Sequence, residues 1–219
     1  MGTEVITIDG PTSSGKNSVG FLLAKKLGYQ YIDTGMIYRA GALKMLKTGI
    51  PLDDKEKILD IYRNLKVRFE MDGGWKMFLD GGDVTEALHE PAVSELTSKV
   101  SAIQQVRDIM KGLQRKIAGS GGVVMGGRDI GSEIFPDASF KFFLTASVKV
   151  RARRRFKQLQ RKNPTIKYKQ VLSSMIERDK RDSTREASPM RVPENARVID
   201  NSNLSVEQTV EKMLQHIHA

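Results

Sequence analysis

The stretch GPTSSGK, residues 10–16, decides the fold of this chain. It has the spacing G-x-x-x-x-G-K of a phosphate-binding loop. The apolar run of residues 4–9 before it predicts a buried strand, and the amphipathic run after it predicts a helix that stops at Gly28. A strand, a glycine loop and a helix N-terminus in this order direct backbone N–H groups at one point. We therefore predict that the loop binds the phosphates of a nucleotide.

The residue types in the loop suit this role. Glycine permits backbone angles and a close approach that a Cβ would block, and Lys16 can reach the outer phosphates as a point charge. A glycine turn in an ordinary βα unit is the alternative, and the flanking strand and helix disfavour it. The hydroxyl that usually follows the lysine is replaced here by Asn17. The predicted nucleotide-binding residues are Gly10, Pro11, Thr12, Ser13, Ser14, Gly15, Lys16, Asn17 and Ser18.

Length and composition narrow the class of protein. The chain has 219 residues, of which 39% are hydrophobic, enough for one α/β core with an inserted subdomain. Cysteine is absent, which excludes disulfides and thiolate metal sites and fits a cytoplasmic location, and three histidines are too few for a histidine-rich metal site. No window approaches 18 apolar residues and the chain does not begin with a charged-then-apolar leader, so we expect neither a membrane span nor a signal peptide.

The formal net charge of +10 indicates either nucleic-acid binding or a site that holds several phosphates. Aromatic residues make up only 6% of the chain, and no stacking stripe accompanies the basic residues. Phosphate chemistry is therefore favoured. The basic residues crowd into two segments: Arg151, Arg153, Arg154, Arg155, Lys157, Arg161 and Lys162 in one, and Arg178, Lys180, Arg181 and Arg185 in the other.

Apolar periodicity along the chain predicts alternating strands and helices and hence a parallel, doubly wound sheet. Further strands are expected at residues 29–33, 123–125, 140–144 and 196–200, and helices at 55–64, 91–103, 106–117 and 167–185. Residues 66–79 alternate differently and predict an antiparallel hairpin with a turn at Asp72-Gly73-Gly74. Asn163-Pro164 should interrupt the arginine-rich helix, and Ser205 with Gln208 has the spacing of a capping box.

Two charged groups outside the loop are candidates for chemistry. Arg178, Asp182 and Arg185 would project from one helix face, where they could bind an anion or form an exposed ladder of salt bridges. We expect the arginines to converge on a site poor in carboxylates, where only an anion would relieve their repulsion. Asp129, after the strand at 123–125, could accept hydrogen bonds from an exocyclic amine or cap a short helix at Ile130.

The chain resembles the bacterial cytidylate kinases, a family of nucleoside monophosphate kinases, along essentially its whole length. The resemblance rests on IDGPTSSGK (8–16), DTGMIYR (33–39), GRDIG (127–131), FPDA (135–138) and ERDKRDSTR (177–185), together with an insert that contains FLDGGDVT (78–85). It implies an α/β P-loop nucleoside monophosphate kinase fold, with a parallel sheet core flanked by helices. The implied single kinase domain has its core at 1–65, 104–150 and 186–219, an NMP-binding insert at 66–103 and a lid at 151–185.

The resemblance implies phosphorylation of CMP and dCMP by ATP with Mg²⁺. Thr34 and Asp129 would contact the cytosine amino edge, Arg128 and Arg107 the base, Arg39 and Arg185 the monophosphate, and Ser98, Arg178 and Asp182 the ribose side. The implied catalytic residues are Lys16, Arg128, Arg154, Arg155 and Arg185. These kinases typically read G-K-G-T in the loop, so Ser18 takes the place of the metal-binding hydroxyl. Related sequences often carry Asp or Glu where this chain has Gly126, so Asp9, Asp33 or water must support the metal.

Three expectations concern assembly and motion. The insert should move with the acceptor. The segment from Arg151 to Lys162 should be held open or poorly ordered without ligand because its positive charges repel; a merely solvated helix face is the alternative. We expect a monomer that binds neither nucleic acid nor membrane. A kinase for UMP or another small acceptor, and a basic nucleic-acid-binding protein with a regulatory nucleotide, remain as alternative functions.

Overall fold

The computed structural model describes residues 4–71, 74–119, 121–161 and 163–218. Asp72, Gly73 and Lys162, which belong to the predicted turn and basic segment, lie outside these ranges. The chain forms two compact units, the sheet unit (Met1–Tyr31 with Gly121–Ala219) and the helical unit (Ile32–Ser120). The boundaries given above for the core, insert and lid stay predictions.

The elements follow one another in the predicted order. The strands are β1 Val5–Asp9, β2 Gln30–Asp33, β3 Val67–Glu70, β4 Lys76–Leu79, β5 Gly82–Asp83, β6 Val123–Gly127, β7 Phe140–Thr145 and β8 Arg197–Asp200. The α-helices are α1 Lys16–Leu27, α2 Thr34–Thr48, α3 Lys55–Arg63, α4 Pro91–Val100, α5 Gln104–Ala118, α6 Val148–Gln160, α7 Tyr168–Thr184 and α8 Val206–Ile217. A 3-10 turn covers Ala87–His89 and a single π-helical turn covers Ile130–Ile134.

The large sheet has the strand order β2-β6-β1-β7-β8 in the part of the chain that the structure describes. β1 pairs in parallel with β6 and β7, and β7 pairs in parallel with β8. The predicted parallel sheet is therefore confirmed. Asp9 is opposite Gly127 in the register, so the loops after β1 and β6 leave the sheet side by side, at the edge where ligands bind in open α/β sheets.

Local sequence signals account for the ends of the helices in the sheet unit. Gly28 adopts φ 69° after α1, and its N–H reaches the carbonyls of Ala24 and Lys25, as expected for a glycine stop signal. Ser205 and Gln208 form the predicted capping box at the start of α8. α1 and α8 pack against each other.

The helical unit joins α2–α5 to the small antiparallel sheet β3-β4-β5. The hairpin of β3 and β4 is as predicted, and the short β5 was not foreseen because Gly82 and Asp83 carry no apolar pattern. α4 begins at Pro91 as expected but ends at Val100. In the core of this unit Tyr62 is fully buried, and its hydroxyl donates to the Tyr38 carbonyl at 2.9 Å. No helix among the described residues has the length and apolarity needed to cross a membrane.

Two helical glycines of this unit provide a matched test of the packing. A Cβ on Gly41 would lie 2.3 Å from the Tyr62 ring, whereas a Cβ on Gly112 would meet nothing within 4 Å. We expect Gly41→Ala to lower the free energy of unfolding by about 1–3 kcal/mol through overpacking. Gly112→Ala should instead raise it by about 0.5–1 kcal/mol, because alanine favours helix. Urea unfolding measures both, and equal effects would contradict the packing described here.

Candidate nucleotide site

The phosphate loop leaves β1 in a conformation that requires glycine. Gly10 has φ +144°, and a Cβ there would lie 2.1 Å from the Leu144 carbonyl oxygen of β7. Gly15, the residue before α1, has φ +95°, and Ser13 also has a positive φ of 57°. These angles curve the backbone around the N-terminus of α1, where the helix dipole favours an anion.

Lys16 is buried at the start of α1, with 6% of its surface exposed. Its Nζ donates to the carbonyls of Gly10 at 2.7 Å and Pro11 at 2.8 Å, and lies 3.5 Å from Ser14 Oγ. The loop carbonyls therefore hold the ammonium group over the loop, which is where a charge for a bound phosphate is needed.

Asp9 ties the loop after β1 to the loop after β6. Its two carboxylate oxygens accept from the backbone N–H groups of Ile130 at 2.8 Å and Gly131 at 2.7 Å. Burial raises the pKa of Asp9 to about 7, although the two backbone donors act in the opposite direction. Both oxygens are engaged in this structure, which disfavours Asp9 as the carboxylate that supports a metal.

Arginines of α6 contact the loop from one side. Arg151, which is 7% exposed, donates to the Thr12 carbonyl at 3.2 Å and pairs with Asp179 at 2.5 Å. Arg154 donates to the Asn201 side-chain oxygen at 3.0 Å and to its carbonyl at 2.8 Å, and reaches the Ser14 carbonyl at 3.5 Å. Asn201 itself donates to the Ser14 carbonyl at 2.9 Å.

The expectation that the basic segment is held open or poorly ordered without ligand stays a prediction, but the structure shows what opposes the repulsion between its charges. α6 is a continuous helix to Gln160, and Asp179 with the loop carbonyls supplies the counter-charge that offsets repulsion. Arg155 faces Gln158, and burial lowers the pKa values of both Arg154 and Arg155. Sequence reasoning missed Arg151 and Asn201 as neighbours of the loop. Their contacts depend on which face of α6 is buried and on where β8 ends, and a local sequence pattern gives neither.

The second charged group lies after β6 and along α7. Arg128 Nε donates to Asp182 Oδ2 at 2.9 Å, Arg178 Nε lies 3.9 Å from the same oxygen, and Arg185 lies 3.6 Å from Asp129. Burial would raise the pKa of Asp182, but the charges of Arg128, Arg178 and Arg185 outweigh it and hold that pKa below its usual value.

Two expectations about this group are wrong, and so are two of the alternatives. The cluster is not poor in carboxylates, since Asp129 and Asp182 both lie among the arginines. It is not an exposed ladder, because the Asp182 and Arg185 side chains are only 13% and 10% exposed. Arg185 follows the end of α7 in extended backbone, so it does not share a helix face with Arg178. Asp129 precedes the π-helical turn without capping it, because the Asp9 side chain occupies the backbone donors there.

The remaining predicted substrate residues belong to the helical unit. Arg39 Nη1 donates to the Leu88 carbonyl and to Ser94 Oγ, both at 2.7 Å. Buried Arg107 donates to the Ser101 carbonyl at 3.1 Å, with its guanidinium 5.8 Å from the Tyr38 ring centroid. Thr34 is the buried first residue of α2, and Ser98 is half-buried on α4. Sequence reasoning did not identify Ser94, which has no motif of its own.

The donor set around the loop fits a magnesium–nucleotide complex. The Ser18 side chain is exposed on the first turn of α1, and its hydroxyl is a suitable oxygen ligand. Within residues 4–71, 74–119, 121–161 and 163–218, no three acidic, histidine or cysteine side chains cluster so that together they could hold a metal ion. Mg²⁺ commonly takes one or two protein ligands and completes its shell with phosphates and water, so this sparse set is compatible with it.

Comparison with solved structures finds proteins that share this fold. The shikimate kinase of Bacteroides thetaiotaomicron superposes with a TM-score of 0.51 at 14% identity, covering 99% of both chains. A gluconokinase of Sinorhizobium meliloti gives a TM-score of 0.51 at 15% identity, covering 99% of this chain and 92% of that one. With the phosphate loop described above, these neighbours define a protein with a P-loop kinase fold.

Sequence comparison gives the family. The cytidylate kinase family model matches residues 6–219. The cytidylate kinase of Caldanaerobacter subterraneus is 46% identical over 98% of this chain and 95% of its own length. That of Vibrio cholerae is 42% identical over 99% of this chain and 97% of its own length. The chain therefore belongs to the cytidylate kinase family.

The raised pKa of Asp9 predicts a specific pH dependence. The pKa of Asp9 is 3.8 in the unfolded chain and about 7 in the folded protein, so between these pH values folded Asp9 retains a proton that the unfolded chain has lost. Asp9 therefore makes the free energy of unfolding fall as the pH rises through that window. Asp9→Asn should remove this pH dependence, whose slope is at most about 1.4 kcal/mol per pH unit. The difference in unfolding free energy between wild type and Asp9→Asn, measured from pH 4 to 8, tests it.

Asp54 serves as a control with the opposite sign. Its exposed carboxylate pairs with Lys57, which lowers the pKa, so its stabilisation is lost as the pH falls. The difference between wild type and Asp54→Asn should therefore grow with rising pH. A wild-type minus Asp9→Asn difference that does not change with pH would contradict the assignment.

Proposed function

We propose that the protein transfers the terminal phosphoryl group of ATP to CMP and dCMP, giving ADP and CDP or dCDP. The observation that carries the proposal is the phosphate loop, with Lys16 buried against its carbonyls, in a chain that matches the cytidylate kinase family over residues 6–219. In-line phosphoryl transfer needs positioning and charge stabilisation more than covalent chemistry.

On the donor side, the loop from Gly10 to Ser18 binds the ATP phosphates through its backbone N–H groups. Lys16 contacts the outer phosphates, and Arg154 and Arg155 stabilise charge that develops on the transferred group. Arg154 already lies against the loop at Ser14 and Asn201, which supports a role that does not require a large movement of α6.

Ser18 would hold Mg²⁺ together with water and the nucleotide phosphates. Bound there, the metal would supply positive charge that neutralises the phosphates. The absence of a carboxylate at Gly126 leaves Asp33 as the remaining carboxylate candidate, although its Oδ1 accepts from the Gly35 N–H at 2.9 Å as the cap of α2.

On the acceptor side, Asp129 and Thr34 contact the amino edge of cytosine, and Arg128 and Arg107 lie beside the base. The ion pair between Arg185 and Asp129 keeps the carboxylate oriented, so that it can accept from an amino group. A uracil carbonyl in the same place would face a second acceptor, which disfavours UMP.

The acceptor phosphate is bound by Arg39 and Arg185, whose forked guanidinium groups suit phosphate oxygens. The Leu88 carbonyl and Ser94 hold Arg39, and the Ser188 carbonyl accepts from Arg185 Nε at 2.8 Å. Both groups are therefore preorganised. Ser98, Arg178 and Asp182 face the ribose. We further propose that Lys16, Arg128, Arg154, Arg155 and Arg185 are the catalytic residues.

We also propose that the protein acts as a monomer in the cytoplasm, where nucleoside monophosphates occur. The alternative acceptor UMP and the alternative role in nucleic-acid binding are separated by two measurements. Coupled assays of ADP formation with CMP, dCMP, UMP, AMP and GMP should show the highest kcat/KM with the cytidine nucleotides. RNA binding across a salt series should show only weak, strongly salt-dependent affinity. Equal use of UMP, or tight RNA binding without transfer, would contradict the proposal.

Asp129→Asn tests how cytosine is recognised. The amide keeps the size of the side chain but can donate to the uracil carbonyl, so the CMP/UMP ratio of kcat/KM should fall by about tenfold or more. Glu133→Gln is the matched control, because Glu133 is in the following turn and pairs only peripherally with Arg191 at 3.1 Å. An unchanged ratio in Asp129→Asn would show that Thr34 or another group reads the base.

Arg154→Gln and Arg155→Gln, singly and together, test the donor clamp. Arg154→Gln should lower kcat by about tenfold to a hundredfold, because it removes a charge beside the loop, and the double variant should lose more. Arg153→Gln is the control, since Arg153 is exposed on the same helix. Thermal unfolding should show similar stability in all variants. Normal turnover of the double variant would support a merely solvated helix face.

A further inference from the structure

The side chain that follows the loop lysine is held by a buried tyrosine. Asn17 is exposed on the first turn of α1, and its Oδ1 lies 3.4 Å from the hydroxyl of Tyr31 on β2. Tyr31 is 2% exposed. The phenol is the donor of this long hydrogen bond because the amide oxygen can only accept.

Two glycines form the slot that the Tyr31 ring occupies. A Cβ on Gly20 of α1 would lie 2.3 Å from Tyr31 Cε2, and a Cβ on Gly126 of β6 would lie 2.6 Å from the Tyr31 hydroxyl. Any side chain at position 126 therefore collides with Tyr31 as it is placed here. A carboxylate at this position would therefore require the Tyr31 hydroxyl to move from the place it has here.

We propose that Tyr31 is a positioning residue that makes Asn17 a phosphate-binding group. With its oxygen facing the Tyr31 hydroxyl, the Asn17 amide carries its two N–H donors on the other branch of the planar amide group, away from Tyr31. N–H donors suit phosphate oxygens and do not suit a cation. Asn17 accordingly binds the nucleotide phosphates and leaves metal binding to Ser18. The inference rests on the proposed function only in requiring that the loop bind a nucleotide.

Nucleotide affinity in the absence of CMP is the direct test. Calorimetry with ADP, in Mg²⁺ and again in EDTA, should show that Tyr31→Phe weakens binding by about threefold to tenfold in both buffers. Tyr29→Phe is the matched control, because its hydroxyl pairs with Glu4 at 2.9 Å, away from the loop, and its affinity should equal that of wild type. In an Asn17→Ala background, Tyr31→Phe should have no further effect.

Asn17→Asp distinguishes phosphate binding from metal binding. A carboxylate replaces the N–H donors with a like charge, so ADP binding should weaken by roughly tenfold or more, in EDTA as well as in Mg²⁺. Tighter binding of Mg²⁺–ADP to Asn17→Asp would show that the side-chain oxygen is a metal ligand and would overturn the proposal. So would wild-type affinity in Tyr31→Phe, or an equal Tyr31→Phe effect with and without Asn17.

The close packing of Gly126 against Tyr31 is tested by thermal unfolding. Gly126→Ala should lower the midpoint of thermal unfolding, and adding Tyr31→Phe should restore part of it, because the nearest ring atom after removal of the hydroxyl is Cζ at 3.4 Å from the new Cβ. Equal stability of Gly126→Ala and the double variant would contradict the packing. Failure to phosphorylate CMP would remove the proposed function, whereas the ADP affinities test the role of Tyr31 separately.

Discussion

The contact between Gly10 and the Leu144 carbonyl is the constraint on which the nucleotide site depends. A backbone at φ +144°, with no room for a Cβ, lets the chain turn sharply from β1 while it stays packed on β7. The same turn places the Gly10 and Pro11 carbonyls where they accept from Lys16. A larger residue at position 10 would displace the strand end, the loop and the lysine together.

Backbone carbonyls and buried carboxylates preorganise the cationic groups of the sheet unit. Arg151, Arg154 and Lys16 all donate to carbonyls at the loop, and Arg128 and Arg185 pair with Asp182 and Asp129. Groups already held in place need little reorganisation when a phosphate arrives, and such preorganisation is a main source of electrostatic catalysis. The carboxylates therefore keep the arginines separated and ordered, in addition to the substrate contacts proposed for them.

The sequence was sufficient to predict features that depend on residues close together in the chain. The loop spacing, the Gly28 stop, the Ser205 capping box and the antiparallel hairpin all arise from residues a few positions apart, and each was predicted. Contacts between distant residues left no such signal. Nothing in the sequence distinguishes Arg151 from its basic neighbours until α6 buries one face, and nothing links Asp9 to Ile130 until β1 and β6 are paired.

The role proposed for Lys16 is to activate ATP for transfer of its terminal phosphoryl group to CMP. The most direct measurement is CMP-dependent ADP formation by wild type, Lys16→Ala and Lys25→Ala, the last changing an exposed lysine near the end of the same helix. We expect transfer by wild type and Lys25→Ala. In Lys16→Ala we expect kcat to fall by about a hundredfold or more, with unchanged affinity for CMP. Near wild-type turnover in Lys16→Ala would contradict this role.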